Sequence, residues 1–194
     1  RYDVVIIGAG VVGAMAAREL SRYNLKVCLL EKENDVAMGA SRANSGIIHG
    51  GYDPIPGTLK AKMNTAGVPL LYEAAKELNA HYVNNGSFVC AFGEDENPAI
   101  DALYERGLAN SIEQLQILSG DEARAMEPNL SEKVTRVLYI PTAGIICPYD
   151  LTIAAVGNAM DNGVELKRNF EIAKIECSDG FTVTSTEGET VEGR

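Results

Sequence analysis

Two stretches of this sequence hold residue types whose spacing suits chemistry. One is SRANSGIIHGGYDP, residues 41–54, where small polar residues and two isoleucines lead to His49 and a pair of glycines. An imidazole has an ordinary pKa near about 6.5 and can take a proton at neutral pH. From its neighbours alone His49 reads either as a loop histidine kept for structure or as a base, with Gly50 and Gly51 leaving space around the ring. The other is GAGVVG at residues 8–13, followed by Glu31 eighteen residues beyond Gly13. Gly8 suits a tight turn. Gly10 clears a side chain from the approach of a pyrophosphate. Gly13 lets a helix pack close to a strand, and Ala17 continues that contact. The backbone N–H groups that open the helix, at Val11 and Val12, offer donors and partial positive charge to phosphate. Glu31 is placed to accept hydrogen bonds from an adenosine ribose, with Lys32 and Glu33 flanking it.

The elements around the glycines decide how much weight they carry. DVVIIG is a short apolar run rich in β-branched residues and reads as a parallel strand buried on both faces. AMAARELSRYN has helical spacing, and KVCLLE reads as a second strand that ends on Glu31. Strand, glycine turn, helix, strand and acid fall in the order that a dinucleotide-binding unit needs. That motif serves NAD and FAD alike. Residues 34–57 favour FAD, because they form a long segment rich in Gly, Ser, Asn and Pro rather than another crossover. Long ordered loops are usually functional, and FAD reaches well past its diphosphate.

GAGVVG, LLEKE and SRANSGIIHGGYDPIPGTLKAK together resemble the FAD-dependent glycerol-3-phosphate dehydrogenase/oxidase group of the D-amino-acid-oxidase-like superfamily. L-2-hydroxyglutarate oxidases share a related form of NSGIIH. The resemblance implies that Ser41, Asn44, Ser45 and Gly46 contact FAD. It also implies that His49 takes the hydroxyl proton while hydride leaves the substrate carbon for the flavin. Covalent attachment of flavin to this histidine, as in some relatives, is an alternative role. The implied reaction is oxidation of a small secondary alcohol, foremost sn-glycerol 3-phosphate to dihydroxyacetone phosphate. L-2-hydroxyglutarate oxidation, amino-acid or amine oxidation, and a non-catalytic dinucleotide-binding module or accessory subunit are the competing readings. The reduced flavin would pass its electrons to oxygen, a quinone or a protein.

The rest of the chain reads as α/β with a mixed insertion. Residues 58–79 give one or two helices broken at Pro69. YVNNGSFVCAFG reads as a strand pair, NPAIDALYERGLANS as a helix, and LQILSGDEARAMEPNL as a strand and a helix capped by Ser119 or Asp121. TRVLYIPTAGIICP reads as strand, turn and strand. YDLTIAAVGNAMDNG is a helix, VELKRN a third parallel strand, and the last 25 residues, 170–194, a three-stranded meander. The expected division is a first FAD-binding segment at 1–81, the first piece of a substrate domain at 82–147, and a return FAD-binding segment at 148–194. By the family's pattern the chain is expected to be truncated and inactive alone, with the substrate-anchoring residues elsewhere.

Composition narrows the classes. The 194 residues carry 27 acidic and 17 basic side chains, a formal net charge of −10. That balance argues against nucleic acid and anionic membrane surfaces as partners. No apolar run approaches the roughly 20 residues of a membrane span. Cys28, Cys90, Cys147 and Cys177 are scattered, without metal-ligand spacing to His49 or His81, and read as reduced thiols of a cytoplasmic protein. No metal is expected, and His81 reads as structural or exposed.

Overall fold

The computed structural model describes residues 1–194, which divide into two compact units. The first unit comprises residues 1–45, 76–81 and 147–194, and the second comprises 46–75 and 82–146. Residues 46–75 therefore pack with the middle of the chain, whereas the sequence reading grouped them with the first segment.

In the first unit, β1 (Val4–Ile7) leads through the glycine turn to α1 (Val11–Leu20) and back to β2 (Val27–Leu30). β2 pairs in parallel with β1, from Val4 opposite Val27 to Ile7 opposite Leu30. Its other side will take β9 (Glu165–Lys167), with Cys28 opposite Glu165. The sheet order is β1–β2–β9, so the third parallel strand falls where VELKRN was read. The period of two along β2 sends its side chains to two cores. Val27 and Leu29 join Ala14 and Ala17 of α1 and Ala155, Val156 and Ala159 of α5 (Pro148–Asp161). Cys28 and Leu30 join Phe170, Val183 and Val191 on the opposite face. β1 differs from its sequence reading: it lies at the sheet edge, and Ile7 is 55% exposed rather than buried on both faces. The chain closes this unit with the antiparallel meander β10 (Ile172–Ser178), β11 (Gly180–Ser185) and β12 (Thr190–Gly193).

The second unit begins with β3 (Ile47–Ile48) and α2 (Leu59–Glu77), whose first seventeen residues belong to it. α2 runs through Pro69 without a break. Proline removes one helical donor and tends to kink a helix, yet good helix formers on both sides, LLYEAAKE after it, carry the helix on. β4 (Tyr82–Val83) and β5 (Ser87–Ala91) are not a pair with each other. β4 joins β8 (Gly144–Ile146), which also holds β3, and β5 joins β7 (Arg136–Ile140), which also holds β6 (Gln116–Ser119). For the same reason β7 and β8, read as adjacent strands across a turn, serve separate sheets. α3 (Asn97–Ala109) covers the β5–β7–β6 sheet through Ile100, Leu103 and Tyr104, with Leu138 and Ile140 beneath. α4 (Gly120–Met126) starts from a capping box in which Ser119 and Glu122 satisfy each other's backbone N–H.

Candidate functional site

The glycine turn is built by steric necessity. Gly8 sits at φ +96°, in the left-handed region. A Cβ on Gly13 would run into the carbonyl oxygen of Gly8, so no other residue lets α1 start this close to β1. Gly10 is the N-cap of α1 and offers no side chain to the helix. Its place is taken from a distance: Ser41 Oγ accepts the Val11 N–H at 2.9 Å. Val12 is 82% exposed, so the second position of the helix opening faces outward.

Glu31 ends β2 with a buried carboxylate. Its Oε2 accepts the Ala9 N–H at 2.7 Å, and its Oε1 accepts the Glu33 N–H at 3.0 Å. Charged acceptors make such bonds short and strong. The glutamate therefore ties the glycine turn to the end of β2, and each oxygen keeps lone-pair capacity for a ligand. Lys32 Nζ lies 3.7 Å from Glu33 Oε1 at the surface.

These groups line one groove of about 500 Å³, with Gly8, Gly10, Glu31, Lys32, Glu33 and Ser41 on its walls. That volume lies within the range of small-molecule and cofactor clefts. The groove also draws on residues that the sequence reading missed: Met38, Gly39 and Ala40 from the loop, and Phe170, Glu171 and Ile172. The latter are stitched in by backbone bonds, Phe170 N–H to the Glu31 carbonyl at 2.8 Å and Asn169 N–H to the Glu33 carbonyl at 2.9 Å. The one sequence signal was the alternation of apolar Phe170 and Ile172 with Asn169 and Glu171 just after the third parallel strand. Val11 touches the groove through its N–H bond to Ser41, and Gly13 acts behind it by close packing. Asn44 Nδ2 donates to the Ala40 carbonyl at 2.8 Å and Ser45 is exposed, and neither lines the groove. Gly46 is buried in the second unit, where its carbonyl accepts the Ile146 N–H at 2.8 Å.

Within the second unit, His49 follows β3, which is held against β8 by the pairing of Ile48 with Gly144. Ile48 is buried and His49 is exposed, so β3 anchors the backbone while the imidazole stays available. Gly50 and Gly51 do not leave open space round the ring, as their small size suggested. A Cβ on Gly50 would strike the Ile140 side chain, and one on Gly51, at φ +85°, would come within 2.6 Å of Ile112 Cδ1. They are glycines because the loop is pressed onto the core. Asn110, buried at the end of α3, donates Nδ2 to the carbonyls of Gly51 at 3.0 Å and Pro54 at 2.8 Å. Arg106 donates to the Asp53 carbonyl at 2.9 Å. Nothing in the sequence singled out Asn110, and only its burial and its two bonds show that it anchors this loop. Burial pushes the Tyr52 phenol up, with the charge of Asp53 adding to it. His81 is exposed, and its carbonyl accepts the Cys147 N–H.

A parallel sheet, a glycine turn onto a helix and a buried glutamate closing the second strand define the class: a dinucleotide-binding α/β unit. Residues 3–193 match the family described as DAO, FAD dependent oxidoreductase, and the chain belongs to that family. It is 47% identical over 178 residues to a glycerol 3-phosphate dehydrogenase of Caloramator mitchellensis, covering 92% of this chain and 37% of that protein. It is 33% identical to a mitochondrial L-2-hydroxyglutarate dehydrogenase of Pongo abelii, covering 96% and 45%. Among solved structures, a dithionite-reduced L-alpha-glycerophosphate oxidase from Mycoplasma pneumoniae with FAD bound superposes with a TM-score of 0.87 at 34% identity, covering 95% of this chain and 50% of that one. The chain thus spans half or less of the length of these relatives.

The groove fits the family's cofactor on its own chemistry. The start of α1 offers N–H donors without an acidic side chain in its first turn, as a diphosphate requires. Gly10 keeps that approach clear, and the Glu31 carboxylate supplies acceptors for a ribose.

Proposed function

We propose that the whole protein is an FAD-dependent oxidoreductase acting on a small secondary alcohol, with sn-glycerol 3-phosphate as substrate and dihydroxyacetone phosphate as product. The observation that carries this reading is the 47% identity to a glycerol 3-phosphate dehydrogenase along 92% of this chain. The 33% identity to an L-2-hydroxyglutarate dehydrogenase keeps a 2-hydroxy acid as the second reading.

In this reading Gly8, Gly10 and the N–H groups at Val11 and Val12 receive the diphosphate. Glu31 holds the adenosine ribose, with Lys32 beside it. Ser41 exchanges its bond to the Val11 N–H for one to a phosphate oxygen, and Asn44, Ser45 and Gly46 line the path towards the ring. Residues 1–81 and 148–194 serve the cofactor, and 82–147 begin the substrate domain. When bound, FAD supplies the acceptor for the hydrogen and two electrons that leave the substrate carbon. His49 takes the hydroxyl proton onto its unprotonated ring nitrogen as the C=O bond forms, so one proton and one hydride are lost in balance. The buried loop anchors at Gly50, Gly51 and Asn110 hold the imidazole in place and so limit the entropy lost at the reaction. Electrons then pass to oxygen, a quinone or a protein. The four free cysteines fit a reducing compartment, the cytoplasm. No helix is long and apolar enough to cross a membrane.

The test is anaerobic reduction of the full-length protein with glycerol 3-phosphate, L-2-hydroxyglutarate and a small amino acid in parallel. Flavin absorbance should bleach fastest with glycerol 3-phosphate. Bleaching with the hydroxy acid alone transfers the reading to the second candidate, and bleaching only with the amino acid removes both.

A further inference from the structure

Asn64 stands on α2 beside the His49 loop with an unmet need. Its Oδ1 is shut off from solvent and has no hydrogen-bond partner. A buried acceptor left unpaired costs free energy, so such an atom calls for an explanation. The oxygen lies against the loop itself, because a Cβ on Gly51 would come within 3.3 Å of it. Asn64 also lines a pocket of about 110 Å³ walled by His49, Gly51, Tyr52, Asp53, Pro54 and Lys60. That is room for ordered water between the His49 and Asn64 side chains.

Three side chains of this pocket carry a donor that could meet the amide oxygen. Lys60 is 74% exposed, and its Nζ lies 3.8 Å from Asp53. Tyr52 packs with the apolar cluster of Ile112 and Leu115. His49 is exposed at the mouth of the loop and carries the remaining donor. We propose that Asn64 is the positioning residue for His49: its Oδ1 accepts one imidazole N–H, directly or through one water, and so fixes the tautomer that leaves the other ring nitrogen free to take a proton. This rests on the reading of His49 as the base. An orienting partner of this kind sets which ring nitrogen is protonated. The charged and titratable groups that face the imidazole are Tyr52 and Asp53 from the loop and Lys60 from α2, with Arg106 of α3 holding Asp53 from behind at 3.9 Å.

The test uses the full-length protein with isotope-labelled histidine. Nuclear magnetic resonance reads the tautomer and titration midpoint of His49, and His49→Gln assigns its signal. The native protein should hold one tautomer. Asn64→Asp places a carboxylate where the amide oxygen was, so the charged imidazole gains and the midpoint should rise by about 1–2 pH units. Asn64→Ala should mix the tautomers and slow flavin reduction by about 10- to 100-fold at unchanged FAD content. It removes a group with no other hydrogen-bond partner, so it keeps the test open should the aspartate variant fold poorly. Tyr52→Phe should leave tautomer and midpoint where they were. The proposal is overturned if both Asn64 variants leave them unmoved, or if Tyr52→Phe shifts them instead. The two readings fail separately: a wild-type reduction rate in His49→Gln removes the base, while the tautomer still reports whether Asn64 holds the ring.

Discussion

Glu31→Ala should unlock the glycine turn before any cofactor is considered. The carboxylate accepts two backbone N–H groups, from Ala9 at 2.7 Å and from Glu33 at 3.0 Å. Ala9 is fully buried, so its N–H cannot turn to water when the acceptor goes. An unsatisfied buried donor costs about 1–3 kcal/mol, and the half-buried Glu33 bond adds roughly 1 kcal/mol, since water replaces part of it. The expected loss is about 2–4 kcal/mol, a large share of the 5–15 kcal/mol that usually separates folded from unfolded chains. The assay is denaturant unfolding of the FAD-free full-length protein, read as a lower midpoint at unchanged slope. Glu31→Gln keeps one acceptor oxygen but turns an NH₂ towards one of the two donors, and should fall between the native protein and the alanine variant. FAD affinity should weaken in the same order. If Glu31→Ala unfolds at the native midpoint and loses only FAD affinity, the carboxylate serves the ribose alone and the turn is held by other means.

Three further outcomes follow from the same geometry. His49→Gln should retain FAD absorbance while flavin reduction by substrate slows by about 10²–10⁴, the usual loss for a general base; a native rate places the base elsewhere, and loss of FAD makes His49 a structural residue. Asn110→Ala leaves the Gly51 and Pro54 carbonyls without their buried donor and should cost about 1–3 kcal/mol, with slower turnover in steady-state assays; unchanged stability would show that the loop does not depend on this bond. Burial, reinforced by the charge of Glu165, pushes the Cys28 thiol up to about 11, so it stays protonated in the fold. Its contribution to stability is therefore complete below the ordinary thiol pKa near about 8.5 and is lost as pH rises towards the folded value; alkylation followed by peptide mass analysis at pH 8 should label exposed Cys177 and spare Cys28.

The elements of the first thirty residues and the last thirty were legible because each is set by local pattern, although β1 lies at the sheet edge and is not buried on both faces. Val27 to Leu30 are apolar in unbroken run, and the strand is buried on both faces as such a run implies. SDG and TEGE mark the turns of the meander, and the meander is there. Sequence pattern failed where partners are chosen at long range. YVNNGSF and YIPTAGII look like hairpins, yet their strands go to different sheets, because Gly144 and its neighbours pair with Val83 and Ile48 rather than with Ile140. Of the residues that line the candidate groove, Gly8, Gly10 and Glu31 stood out by type and spacing, and Ser41 through the family resemblance. Asn110 and Phe170 did not, since their roles are backbone contacts made far along the chain. The glycines after His49 were misread for a related reason: small residues look the same in sequence whether they make room or fit into none.

The second unit has a bearing on how the polypeptide reaches this arrangement. β2 waits for β9 across the whole middle of the chain, from Cys28 to Glu165. Closing so long a loop by chance encounter is entropically costly and slow. The second unit shortens the search, because its own ends meet: Ile47 and Ile48 pair with Ile145 and Gly144, and the Ile146 N–H bonds to the Gly46 carbonyl. Once it has folded, the residues that leave β2 and those that lead towards β9 emerge side by side. The inserted unit can then work as a clasp in biogenesis, and the cofactor groove is completed late, because its wall at Phe170, Glu171 and Ile172 lies roughly nine-tenths of the way along this stretch.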